Sequence, residues 1–218
     1  MTIRTPSLAL LSIALLAAGC KKEQPVTPGE FHRYPIEHIH VHYIYSGLGR
    51  GTEDLYFDQY GRRETKYVNW EHIEEKALRP MIRLTISVGP DIYTCLLDRG
   101  EGTHWKDPQL DSLFHLSAAN IPSPEKITQT ILSEKGKLVG QDTVLGLKAD
   151  IWKITGTPLE LYIWKGVLLK RASVAAGDTV VVTAVSIDTV RRPNESAFVV
   201  PGGIKMRERP LPSAPLGQ

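Results

Sequence analysis

From residue 36 onward the chain alternates apolar and polar residues, and this period of two limits its fold more than any other feature. Ile39, Val41, Tyr43 and Tyr45 fall on one face of the first such segment, and His38, His40, His42 and Ile44 on the other. Ten residues at period two predict a strand. Glycines 47, 49 and 51 then break the pattern, 53–60 (EDLYFDQY) resumes it, and Gly61-Arg62 turns the chain into a third strand over 64–70. Hairpins in succession make an antiparallel meander. Segments of the same kind cover 81–88, 92–97, 137–145, 149–155, 159–164, 167–174 and 179–190, with a short extended piece at 198–200 before Pro201-Gly202-Gly203.

The middle of the chain departs from this. Residues 70–79 (WEHIEEKALR) place Ile73, Ala77 and Leu78 on one side of a helix with Pro80 as its stop. Asp107-Pro108 and Ser123-Pro124 each supply an N-cap followed by proline in the first helical position. Behind them run the stripes Leu110, Leu113, Phe114, Leu116 and Ile127, Ile131, Leu132, the second ending at Gly136. The expected fold is mainly β (α+β): a curled antiparallel sheet or half-open β-barrel of about 9–11 strands, with two or three short helices capping its concave face.

The N-terminus speaks about location. One basic residue in positions 1–4, an apolar run over 8–18 and an immediately polar continuation (KKEQP) form the layout of a secretory signal. The run is shorter than the roughly 20 residues that span a bilayer. Leu16-Ala17-Ala18-Gly19-Cys20 resembles the bacterial lipoprotein box. The resemblance implies diacylation of the Cys20 sulfur with chains such as palmitate, cleavage before Cys20 and acylation of the new N-terminus. Lys21, in place of an aspartate, implies sorting to the outer membrane, facing the periplasm or the cell surface. The division expected is a signal peptide at 1–19, an acylated Cys20 with a flexible tether at 20–35, one domain at 36–205 and a disordered proline-rich tail at 206–218. Cleavage leaves 218 − 19 = 199 residues with a net charge of 25 − 24 = +1, so no basic stripe favours nucleic acid. With Cys20 acylated, Cys95 is the one thiol, and no intramolecular disulfide forms.

Several segments together carry a family resemblance: the Tyr56-Phe57-Asp58-Gln59-Tyr60-Gly61 turn, Val144-Leu145-Gly146-Leu147-Lys148-Ala149-Asp150-Ile151-Trp152-Lys153, Leu161-Tyr162-Ile163-Trp164-Lys165-Gly166 and Phe198-Val199-Val200-Pro201-Gly202-Gly203. The chain resembles uncharacterised bacterial envelope lipoproteins related to the LolA/LolB-like lipoprotein-carrier superfamily. That resemblance implies an unclosed barrel lined with apolar residues that holds acyl chains or another hydrophobic ligand, without enzymatic activity or a cofactor. No carrier residue transfers position by position. Tyr43, Tyr45, Tyr56, Trp152 and Trp164 are the candidate ligand-binding residues, because amphipathic aromatics suit a cavity that is apolar inside and wet at its mouth. They equally suit a filled core, which would leave an envelope scaffold or interaction subunit.

His38, His40 and His42 form a further candidate. Residues two apart on a strand share a face, so adjacent histidines could chelate a metal, the His38/His40 pair first, with Glu53 or Glu64 from a neighbouring strand. The outer two lie about 13 Å apart and do not easily share one ion. Gly47-Leu48-Gly49-Arg50-Gly51 lacks the third glycine and the helix of a dinucleotide loop. The chain contains no Gly-x-Ser-x-Gly, His-Glu-x-x-His or phosphate loop, and Cys95 sits in an apolar strand as a buried thiol would.

Overall fold

A computed structural model describes residues 30–47, 49–74, 77–116, 120–175 and 178–209. The signal segment, Cys20, the first part of the tether and the tail from 210 lie outside the described residues. The strands are β1 (Ile39–Ser46), β2 (Gly49–Asp58), β3 (Arg63–Glu74), β4 (Ala77–Val88), β5 (Asp91–Leu96), β6 (Glu101–Lys106), β7 (Gly136–Val144), β8 (Leu147–Ile154), β9 (Leu159–Trp164), β10 (Val167–Ala175), β11 (Asp178–Asp188) and β12 (Lys205–Glu208). Helices α1 (Pro108–Phe114) and α2 (Pro124–Lys135) separate β6 from β7. All twelve strands join one sheet in the order β12-β6-β5-β4-β3-β2-β1-β11-β10-β9-β8-β7. The sheet is curled and unclosed, the half-open barrel with short helices that the sequence predicts.

Two meanders, β1–β6 and β7–β11, meet at an antiparallel seam between β1 and β11. Inward curl is visible at Tyr43, whose hydroxyl crosses β11 to donate to the Leu168 carbonyl on β10 at 2.7 Å. The inner face carries the main core, with Ile39, Val41, Tyr43, Leu55, Phe57, Val68, Leu169, Val182 and Ala184 all at most 5 % exposed. Phe31 and Tyr34, which the sequence assigns to the tether, are buried as well. The Tyr34 ring stacks on Phe57 at 4.1 Å and reaches over Gly61 and Gly166. Both glycines have positive φ, +84° and +79°, and a Cβ on Gly61 would stand 2.5 Å from that ring.

Four expectations are corrected. In place of the expected helix, residues 70–74 extend β3 and residues 77–79 open β4, paired from Arg63↔Val88 to Glu74↔Ala77. Pro80 lies opposite Glu71, before β5 begins to pair at Arg83↔Leu96, so β4 is one-sided there and tolerates a residue without N–H. Residues 195–198 form a 3₁₀ turn capped by Asn194, and the last strand comes after the Pro-Gly-Gly turn, extending into the stretch from 206. That strand, β12, pairs parallel to β6, which makes the sheet mixed. The strand count is twelve rather than nine to eleven. Helices α1 and α2 start at the expected caps, Asp107 and Ser123. Neither helix contributes a fully buried residue.

The C-terminal segment closes the outer face. Val200, Ile204 and Met206 pack on Leu84, Ile86 and Cys95, and Cys95 is fully buried and free. His104 on β6 fastens the strand, with Nδ1 2.8 Å from Glu208 and Nε2 3.0 Å from Asp91. Hydrogen bonds to Glu208 and then Asp91 raise its pKa above 6.5. A raised histidine stabilises the fold fully below its unfolded pKa and ceases to do so as pH rises through the folded value. His104→Ala is therefore expected to destabilise the protein by about 1 kcal/mol or less at pH 6, as exposed pairs do, and by a smaller amount at pH 9. Urea titrations of both proteins at the two pH values measure the difference, and an equal loss at both contradicts the assignment.

Candidate functional site

Two carboxylates lie on the inner face. Glu53, 6 % exposed, accepts from the Tyr45 hydroxyl and lies 3.5 Å from Lys66 Nζ. Glu64 accepts from the Tyr34 hydroxyl at 2.7 Å and pairs with Arg33 at 3.2 Å. Burial pushes the Glu64 pKa up, but Arg33, Lys66 and the Tyr34 hydroxyl together bring it below the usual carboxylate value. Burial followed by its carboxylate neighbour raises Tyr34 and Tyr45 well above 10. Both carboxylates are thus paired and committed to holding the inner face together. Tyr43 and Tyr45 are buried in this core, and Trp164 packs against its margin. Trp152 is 8 % exposed on β8.

Tyr56 faces the other way. The register places His40 opposite Tyr56 and Asp188, and His42 opposite Asp54 and Ser186, so all six share the outer face. His40 Nε2 and His42 Nδ1 each lie 2.8 Å from the same Asp54 Oδ1. The His40 ring also stacks on Tyr56 at 4.2 Å and 13°. Asp188 is held below the usual carboxylate value by the Arg191 and Val190 N–H groups, with the charges of Arg191 and His40 adding to the effect. A groove of about 380 Å³ continues from Asp54 and Tyr56 over Thr65 and Tyr67 to the 194–201 segment.

His38 belongs to a different cluster. Its ring gathers with Glu37 and Asp58, donor atoms within 4.8 Å of one another. Asp58 is 1 % exposed and already receives Arg63 at 2.5 Å, Arg192 at 3.4 Å and the Gln59 N–H at 2.7 Å, while Arg192 also binds Glu37. Burial acts to raise the Asp58 pKa, but the Arg63 and Gln59 hydrogen bonds and the Arg192 charge outweigh it and hold the group below 3.8. Two guanidiniums neutralise this cluster, so it works as a clasp between the β2–β3 turn and the C-terminal segment. The expected His38/His40 pair is therefore divided, and His40 and His42 share Asp54 instead.

Neither Glu53 nor Glu64 joins the histidines. Glu53 lies opposite Tyr43, one residue out of phase, and points into the core. The signal for Asp54 was present in the sequence: in the β1–β2 hairpin residue i faces residue 96 − i, which pairs 42 with 54.

No family model matches the chain, and no curated protein matches its sequence. Among solved structures it is similar to an uncharacterised conserved protein from Thermus thermophilus, at 10 % identity and a TM-score of 0.49, covering 79 % of this chain and 91 % of that one. It is also similar to MucB, at 13 % identity and a TM-score of 0.40, over 78 % of this chain and 59 % of MucB. A Vibrio parahaemolyticus domain described as an outer membrane lipoprotein-sorting protein is similar over 76 % of this chain and 91 % of its own, at 10 % identity and a TM-score of 0.31. Among the described residues no helix is long and apolar enough to cross a membrane.

Proposed function

We propose that the protein is a lipid-anchored component of the bacterial cell envelope, attached through Cys20 at the outer membrane, that holds a hydrophobic ligand such as an acyl chain without performing chemistry on it. The supporting observation is an open, mainly apolar surface groove of about 560 Å³ along α1, lined by Pro108, Gln109, Ser112, Leu113 and Leu116. Phe31, eleven residues beyond Cys20, packs edge to face on Phe114 at 5.2 Å. The groove therefore lies beside the first described part of the chain, and in this reading the tether from Cys20 brings that part towards the bilayer. The inner-face aromatics pack the barrel centre, so the ligand sits beside the helices.

Parinaric acid titrated into the full chain, followed by its fluorescence, tests this. Leu113→Asp is expected to weaken binding about tenfold to a hundredfold, the value of losing one buried leucine contact. Unchanged binding sinks the groove. A wild-type chain that binds no fatty acid favours an interaction subunit instead. For that reading β7 is the relevant feature: among the described residues it is an edge strand with nothing paired beyond it, on which Leu138 and Val139 are 54 % and 51 % exposed.

A further inference from the structure

The outer-face histidines carry an inference independent of the acyl groove. We propose that His40, His42 and Asp54 form a binding site for a late first-row divalent ion of the zinc type. Three donors of the right chemistry, two imidazole nitrogens and a carboxylate oxygen, converge from adjacent strands, and both nitrogens approach the same oxygen at 2.8 Å. The nitrogens are thus at most 2.8 + 2.8 = 5.6 Å apart. Zinc bonds of about 2.0–2.1 Å in tetrahedral geometry require about 3.3 Å, so each ring must move inward by about 1 Å. Side-chain rotation supplies that movement, because both rings are about one-third exposed, at 36 % and 34 %.

The strand backbone sets the spacing. Alternation puts both histidines on one face, and the hairpin register puts Asp54 directly across from His42. The Tyr56 ring stacks on one face of His40. Arg191 offsets Asp188, across from His40, so with neutral imidazoles the Asp54 carboxylate leaves the patch net anionic, which favours a cation. Arg63 and Arg192, which neutralise the His38 cluster, pair with Asp58, Glu195 and Glu37 rather than with Asp54. Two imidazoles select zinc, copper or nickel over magnesium and calcium, and three protein ligands leave a fourth position open to water or to a donor from a partner.

The test is calorimetric titration of Zn²⁺ into the full chain, purified without a histidine tag, with Mg²⁺ as the control cation. One equivalent of zinc is expected, with no magnesium binding. His40→Ala, His42→Ala and Asp54→Asn should each weaken zinc by about 100-fold, and His38→Ala should leave it unchanged. The altered side chains are part-exposed and outside both hydrophobic cores, so thermal midpoints in chelator should stay within a few degrees of wild type and separate lost metal from lost fold. A wild-type chain that takes up no zinc overturns the proposal. So does a His40 or His42 variant that binds as wild type, or loss of binding in His38→Ala. Fatty-acid binding by the same variants should be unaffected, so the outcome leaves the α1 groove to be judged by its own experiment.

Discussion

Arg63→Ala is expected to destabilise the fold by about 2–3 kcal/mol, below the roughly 3–5 kcal/mol usual for stranding a buried charge because Arg192 and the Gln59 N–H still hold Asp58. Asp58 is 1 % exposed, and Arg63 donates to it at 2.5 Å while its other end pairs with Glu195 and its guanidinium lies 4.6 Å from the Phe198 ring. Removing the arginine leaves the Asp58 carboxylate with Arg192 at 3.4 Å and the Gln59 N–H as its remaining partners, and loosens the C-terminal segment on the β2–β3 turn. The pH dependence follows from the depressed Asp58 pKa. A depressed carboxylate stabilises the fold above its unfolded pKa, and this contribution is lost as pH falls through its folded value. The gap between wild type and variant in urea midpoints should be widest near neutrality and narrow below about pH 4. Asp58→Asn, which removes the charge along with the pair, should cost less than Arg63→Ala. The reverse ranking would refute this account.

Phe57→Ala carries the other large expected effect, about 3–5 kcal/mol. Phe57 is fully buried, lies opposite Ile39 on β1 and stacks on Tyr34. Truncating it leaves a cavity between two meanders and removes the platform for the N-terminal segment. A guanidinium denaturation should show a lower midpoint with the slope preserved. Phe57→Leu, which fills most of the volume, should recover more than half of the loss. A loss below about 1 kcal/mol for the alanine variant, well short of the usual cost of such a truncation, would mean that the inner face is loosely filled, and would reopen it as a ligand cavity.

The sequence made the strands legible wherever alternation was undisturbed, as in β1, β9 and β11, and the helices wherever a cap and a proline announced them. It failed where local preference and long-range pairing disagree. The 70–79 segment is rich in good helix formers, yet the β3–β4 ladder overrides them. β12 was invisible because its partner, β6, lies more than 100 residues earlier and the pairing is parallel. At the outer-face site, periodicity placed His40 and His42 together, but Asp54 required the hairpin register as well as the composition of the neighbouring strand. His38 stands apart from that pair for a different reason. It starts the same histidine run but precedes the first residue of β1, and two arginines remote in sequence claim the carboxylates beside it.

The seam between β1 and β11 joins residues as distant as His40 and Asp188, whereas every other antiparallel pair in the sheet joins consecutive strands. Each meander is linked by its own turns, whereas the centre of the sheet is linked only by the pairing of its two halves. Closing so long a loop costs little more in equilibrium stability than closing a short one, since the entropy grows only with the logarithm of length. The cost falls on time instead. Pairing that starts from the hairpin turns leaves β1 and β11 as open edges, and the seam at the middle of the molecule is the antiparallel contact that no local turn supplies.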